Sequence, residues 1–272
     1  MNESHACSFP RLDALYLNAG VSMIEGVDWK QGPLRLITSP SSFFTDVSGT
    51  LKQRIGVCTP THPQLGSVFA ANMFGHYLLL RGLEPLLSTS HGASRVIWTD
   101  SQTSDPDLFS WSDIQGLHSD QPYESSKYAT EILVHELNAE YQRDGKCIRV
   151  FVADPGVVAT NIVAGTLSWL MSVFIMVPVL WLAQWVVDSV TFNAYDGAIS
   201  LFYLSGWPGV KETVNVASES DCTEKDTTAC KYSSASRRGT CFVVRRTMHE
   251  GSGGKSLITE LNALKLKLAK EA

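Results

Sequence analysis

Charge is scarce in these 272 residues: 18% are Asp, Glu, Lys or Arg, against roughly 25% in an ordinary soluble domain. The scarcity is local, because from Pro155 to Val187 there is no Asp, Glu, Lys, Arg or His. Positive charge is the rarer sign, with 22 Lys and Arg against 27 Asp and Glu. No basic patch interleaved with aromatics is present to neutralise phosphates, so nucleic acid is not an expected partner. Cys-x-x-Cys, His-x-His and His-Glu-x-x-His spacings are all missing, so no metal site is expected. The six cysteines are scattered and the first residues lack the charged, apolar and small-residue pattern of a secretion signal. Reduced thiols facing the cytosol are therefore expected. The 44% apolar content excludes a disordered tail, a collagen or a disulfide miniprotein.

Hydrophobic patterning places strands and helices in alternation. Leu12 to Leu17 is a short apolar run closed by Asn18-Ala19-Gly20, a buried strand ending in a turn. Residues 21–64 have no sustained period and four prolines, and read as an irregular insertion. Apolar residues then recur at helical spacing from Leu65 to Leu87, followed by a strand over Arg95 to Thr99. A second helix is predicted from Tyr123 to Arg143 and a third strand from Ile148 to Ala153. Strands alternating with long helices predict an α/β fold, a parallel sheet of βαβ units.

The uncharged stretch follows. Leu167 to Val187 as one helix would rise about 31 Å, enough to cross a bilayer's hydrocarbon. Gly165 and Pro178 interrupt the run, which favours an interfacial or re-entrant segment over a span and leaves a buried helical hairpin open. A helix over Ala194 to Leu204, a polar stretch from Ser218 to Gly239, a strand near Cys241 to Val244 and a terminal surface helix complete the reading. Residues 162–187 are thus a candidate apolar lid or membrane segment, and 218–272 a variable C-terminal region of a single domain.

Chemistry concentrates at Tyr123-Glu124-Ser125-Ser126-Lys127. A phenol and an ammonium four residues apart share one helix face and can reach one ligand. A neighbouring cation stabilises the ionised phenol and moves it toward the range useful for acid catalysis. Asn18-Ala19-Gly20, Ser101 and Pro155-Gly156 each follow a predicted strand, and open α/β sheets bind ligands at the carboxyl ends of their strands. Asn72 lies in the helix between the first two strands. Taken singly, each has a bland explanation: a surface ion pair, a loop serine, a turn glycine, a helix asparagine.

Together they resemble the short-chain dehydrogenase/reductase family from about Leu12 to Leu204. Within it they are most similar in texture to the 3-keto-steroid reductases of sterol biosynthesis, the fungal enzyme and its animal 17β-hydroxysteroid dehydrogenase type 7 relatives. Leu15-Tyr16-Leu17-Asn18-Ala19-Gly20, Asn72-Met73-Phe74-Gly75-His76, Glu84-Pro85-Leu86-Leu87, Val96-Ile97-Trp98-Thr99 and Ser125-Ser126-Lys127-Tyr128-Ala129-Thr130 carry the resemblance, with the 22-residue gap from Ser101 to Tyr123. It implies a Rossmann-type fold and NADPH-dependent reduction of a 3-keto sterol to the 3β-hydroxy sterol. Tyr123 would be the proton donor, Lys127 its partner and holder of the ribose, Ser101 the carbonyl ligand and Asn72 the support of a relay water. Asn18, Ala19 and Gly20 would line the adenosine side of NADP(H), and Pro155, Gly156 and Thr160 the nicotinamide. Implied surroundings are the cytosolic face of the endoplasmic reticulum membrane or a lipid droplet, with other sterol C-4 demethylation enzymes as partners.

The family's Thr-Gly-x-x-x-Gly-x-Gly turn, which meets the cofactor phosphates, does not occur in the sequence. Relative to the family plan, about three βα units, on the order of 90 residues, are expected to be missing, which leaves Leu12 to Leu17 as an exposed apolar edge. The alternative is then a non-catalytic sterol-binding or scaffold protein, and a third reading is a reductase of another apolar ketone. Asp100 also departs from the pattern by setting a carboxylate beside Ser101.

Overall fold

Three apolar runs become the first three strands of one sheet: β1 (Ala14–Leu17), β2 (Ser94–Thr99) and β3 (Ile148–Asp154). The computed structural model describes residues 10–28, 31–39, 51–59, 62–89, 92–158, 177–185, 187–207, 214–218, 230–237, 240–248 and 253–271. Helix α1 (Gly75–Leu87) links β1 to β2, and α2 (Pro122–Arg143) links β2 to β3. Three further strands, β4 (Asn215–Ser218), β5 (Cys230–Arg237) and β6 (Thr240–Thr247), complete a six-stranded sheet in the order β1-β2-β3-β5-β6-β4. The pairs β1–β2, β2–β3 and β3–β5 are parallel, and β5 and β6 form an antiparallel pair. The α/β parallel sheet is as the sequence predicts. Among the described residues nothing pairs with the outer edge of β1, where Tyr16 is 39% exposed.

Period-two alternation decides which helix covers which face. Val96 and Trp98 of β2 and Val150 and Val152 of β3 point to one side, into a core with Tyr77 and Leu80 of α1 and Leu133 and Leu137 of α2. Ile97, Phe151 and Ala153 point to the other, where α3 (Ile199–Ser205) contributes Leu201 and Leu204. The predicted helix over Ala194 to Leu204 is split at Ala198 into Ala194–Gly197 and α3. Helix α4 (Gly254–Glu271) lies against α2; Leu257 and Leu261 are fully buried, so its apolar face completes the first core.

Three expectations need correction or restriction. The Ser-rich polar stretch, read as lacking a strand, contains β5, whose first seven residues are all buried. The Ser234 hydroxyl is satisfied internally, its Oγ donating to the Gly197 carbonyl and meeting Ser200 Oγ at 2.9 Å, whereas the buried Ser233 Oγ has no hydrogen-bond partner among the described residues. Cys230 is disulfide-bonded, so the thiols are not all reduced. Most of the apolar stretch 162–187 lies outside the described residues, which include from it a helix over Val177–Ala183. No helix of the described residues is long and apolar enough to cross a membrane.

Candidate active site

The strand ends deliver their turns to one edge of the sheet. Asn18 follows β1, Asp100-Ser101 follows β2 and Pro155-Gly156 follows β3. Gly156 has φ +71°, and a Cβ there would stand 2.5 Å from the Ser189 carbonyl, so only glycine fits this turn. Its N–H donates to Asp154 Oδ1, while Thr191 Oγ1 donates to the Pro155 carbonyl. Across the edge, Thr99 Oγ1 donates to Asn18 Oδ1 at 2.8 Å.

Asn72 sits in a π-helical turn, Ala70–Phe74, ahead of α1. The wider turn is the kind of local departure from α-geometry found often at functional positions. Its buried amide clasps the β1 turn in both directions: Oδ1 accepts from Val21 N–H at 2.8 Å, and Nδ2 donates to the Val21 carbonyl at 3.0 Å. Nδ2 also donates to Ser126 Oγ on α2, and the Asn72 carbonyl accepts from Trp98 Nε1 at 3.2 Å. Asn72 therefore joins β1, β2 and α2.

Tyr123 opens α2 directly after Pro122, a residue whose fixed φ suits the first helical position. No side chain of Gln121 caps the helix; Gln53, 70 residues upstream of Tyr123, does so instead. Gln53 Oε1 accepts from Tyr123 N–H at 3.1 Å, and its Nε2 donates to Glu124 Oε2 at 2.6 Å and to Gln121 Oε1. The stretch 21–64 thus reaches the site through the Gln53 side chain as well as through the Val21 backbone.

Ser101 Oγ, which meets Thr103 Oγ1 at 3.0 Å, is near enough to the Tyr123 hydroxyl to favour its ionised form. Lys127 Nζ stands 5.3 Å from the centre of the Tyr123 ring and donates to the Thr99 carbonyl at 2.9 Å. Tyr123, Lys127, Ser101 and Asn72, named from sequence, are therefore gathered at one edge; Thr160 lies outside the described residues. The electrostatics differ from expectation. Burial holds the phenol well above its ordinary value; Ser101 works against it, and Asp100, Glu124 and Asp154 add to it. The downward pull expected of Lys127 does not dominate, because the ammonium is itself buried and its own proton affinity is lowered.

The sequence reading missed a set of charges directly behind Ser101. Lys231 of β5, 6% exposed, lies 2.7 Å from Asp100 Oδ2 and 2.8 Å from Glu131 Oε1. Burial pushes the Asp100 carboxyl up to about 7; Lys231 opposes the rise and Glu131 reinforces it. Burial would lower Lys231, yet Asp100, Glu131 and Asp154 raise it above its usual range. One signal was available: Tyr123, Lys127 and Glu131 are spaced four apart, so the acid sits one turn deeper on the same helix face.

Comparisons with known proteins agree with this arrangement. Residues 59–170 match the short chain dehydrogenase family model. The chain is 36% identical over 200 residues to the rat 3-keto-steroid reductase/17-beta-hydroxysteroid dehydrogenase 7, covering 72% of this chain and 57% of that one. The human protein of the same name is 34% identical, with 72% and 56% covered. The 3-keto-steroid reductase of Aspergillus fumigatus is 30% identical over 236 residues, with 73% and 50% covered. The chain spans a little over half the length of the first two and half of the third. With the family's segment extending from residue 59, ahead of Asn72, past Gly156, the Tyr-x-x-x-Lys helix beside Ser101, and 36% identity to a relative over 72% of this chain, the protein belongs to the short chain dehydrogenase family.

Proposed function

We propose that the protein reduces a 3-keto sterol to the 3β-hydroxy sterol with NADPH, at the edge formed by Tyr123, Lys127 and Ser101. The observation that carries the reading is the convergence at one sheet edge of Tyr123, of Lys127 5.3 Å from its ring and held by the Thr99 carbonyl, and of Ser101 directly after the same strand. One carbonyl oxygen lying against both hydroxyls would receive two hydrogen bonds, the arrangement that stabilises developing negative charge on oxygen.

The residues fit the ribose and nicotinamide end of a dinucleotide. An ammonium has three N–H donors; Lys127 spends one on Thr99, and the other two meet no acceptor among the described residues. Asn18, Ala19 and Gly20 are exposed at the same edge, on the far side of the Thr99 strand end from the Pro155-Gly156 turn. When bound, the nicotinamide supplies a hydride to the ketone carbon. Tyr123 gives its hydroxyl proton to the carbonyl oxygen, so that the ketone gains one hydride and one proton. Its raised proton affinity keeps the phenol protonated, the form a general acid needs. Ser101 orients the carbonyl, Lys127 binds ribose hydroxyls, and Asn72 holds the β1 turn against α2.

A sterol's hydrocarbon body matches the uncharged stretch after Gly156. Trp181 and Trp185 on either side of exposed Leu182 are 50% and 55% exposed, the amphipathic side chains favoured at a membrane interface. This supports contact with a membrane in which such a substrate dissolves; the cytosolic face of the endoplasmic reticulum, shared with other sterol C-4 demethylation enzymes, is the setting we propose for it. The test is NADPH oxidation on a panel of ketones, 3-keto sterols against retinoid and fatty acyl ketones, by the native chain and Tyr123→Phe. Turnover confined to the sterols and abolished in the variant, with retained NADPH binding, is the expected result. Turnover that survives Tyr123→Phe refutes the assigned acid, and sterol binding without any turnover favours the non-catalytic reading.

A further inference from the structure

Lys231 meets more partners than an ion pair requires. Its buried ammonium donates to the Ser101 carbonyl, to Ser104 Oγ at 2.9 Å and to Glu131 Oε1 at 2.8 Å, and pairs with Asp100. Ser104 Oγ in turn donates to Glu131 Oε1. Lys231 and its partners belong to three different elements. Asp100, Ser101 and Ser104 form the turn after β2, Glu131 is on α2, and Lys231 is on β5, in register with Val152 of β3. One cation therefore joins the serine's turn to the helix that carries Tyr123 and to the sheet.

The turn has little else to define it. Thr103 N–H donates to Ser101 Oγ and Ser104 N–H to the Ser101 carbonyl, both local bonds, while Asp100 N–H is anchored to the Ala153 carbonyl. Ser101 thus faces two ways: its carbonyl receives Lys231, while its hydroxyl meets Thr103 Oγ1 at 3.0 Å on the side where it acts on the Tyr123 phenol. Charge-assisted hydrogen bonds are stronger and more directional than neutral ones, and a buried cation held by two carboxylates has few alternative positions.

We propose that Lys231 is a positioning residue of the site: by holding the Ser101 carbonyl and bridging Asp100 to Glu131, it fixes where the Ser101 hydroxyl stands relative to the Tyr123 phenol. The catalytic consequence rests on the function proposed above; the positioning itself does not. Lys231 touches no reacting atom. Groups facing the cluster are Asp100 on the turn, Lys127, Glu131 and Tyr123 on α2, and Asp154 at the end of β3. Without Lys231 the two carboxyls of Asp100 and Glu131 share a dry site with no cation between them. One must then retain a proton through neutral pH.

The test compares the full native chain with Lys231→Met, Asp100→Asn, the double variant Asp100→Asn/Lys231→Met and the conservative Lys231→Arg. Removing a buried partner can simply unfold a protein, and the double variant guards against that by removing one acid with the cation. Hydrogen exchange at the Thr103 and Ser104 amides, read by mass spectrometry, reports the turn whether or not turnover is seen. In the double variant these amides should exchange about tenfold or more faster than in Asp100→Asn alone, with α1 unchanged. Where ketone turnover is measurable, kcat should fall by about tenfold with KM within about twofold, the split expected when orientation rather than binding is lost. Lys231→Arg should recover part of both.

Equal exchange at Thr103 and Ser104 in the double variant and in Asp100→Asn overturns the proposal, as does failure of the double variant to fold, which would make Lys231 a requirement of the fold itself. Faster exchange in a chain whose native form reduces no ketone supports the positioning and refutes only the function.

Discussion

Replacing Asp100 with asparagine should make the protein more stable as pH rises, the reverse of what loss of an ion pair suggests. In the folded chain the carboxyl is 2% exposed and pushed up to about 7 from an ordinary value of 3.8. Burial is the main cause; Lys231 opposes it and Glu131 adds to it. The sign follows from proton counting. Between 3.8 and about 7 the unfolded chain has released this proton and the folded chain has kept it, so each rise in pH removes stability. A span of about 3 pH units corresponds to ~4 kcal/mol when fully developed, an upper limit because the charges of Lys231 and Glu131 respond to the same proton. Asparagine imitates the protonated acid and carries no such penalty. The variant should match the native chain near pH 4, gain on it up to about pH 7 and hold a level advantage above that. At roughly 2–4 °C per kcal/mol for a chain of this size, its advantage should grow by several degrees. Lys231, raised above its ordinary range, titrates above the window. Glu131 is held low by Lys231 against its own burial, so its contribution is lost at the acid end. Thermal unfolding by circular dichroism across pH 4 to 8 at fixed ionic strength measures the difference. A flat difference, or one that turns against asparagine as pH rises, would refute the reasoning and show that attraction to Lys231 outweighs desolvation.

Gln53→Ala removes the acceptor that caps α2 and should cost ~1 kcal/mol of stability in urea titration, the usual worth of a lost helix cap; an unchanged midpoint would show that water replaces it. Gly156→Ala forces a Cβ toward the Ser189 carbonyl at a left-handed φ and should destabilise by ~1–3 kcal/mol. A melting point within a degree of native would contradict the close approach. Serine at both Trp181 and Trp185 should shift the protein from sedimenting phospholipid vesicles to the supernatant while the melting point holds; unchanged sedimentation would assign membrane contact elsewhere.

Much of the first half of the site could be read along the chain because its signals are local. The apolar runs ending at Leu17, Thr99 and Ala153 each announced a strand, and the structure ends them within one residue of those positions. Tyr123 and Lys127 share a helix face by spacing alone. The charge behind Ser101 was not legible, because Lys231 meets Asp100 from 131 residues away and lies in a Ser-rich strand that reads as loop. A polar sequence becomes a central strand only when its neighbours satisfy it, as Gly197 and Ser200 do for Ser234. Gln53 was hidden for the same reason: a glutamine in an aperiodic stretch carries no mark of the helix it caps.

What the sequence by itself determined is the α/β class, the strand-end turns and the spacing of phenol and ammonium, since backbone periodicity and i,i+4 geometry operate over a few residues. What only the tertiary structure decided is the electrostatic state of the site. Desolvation depends on everything packed around a group, and Coulomb attraction on distances between residues far apart in the chain, so burial raised Tyr123 and Asp100 and brought Lys231 to the carboxylates.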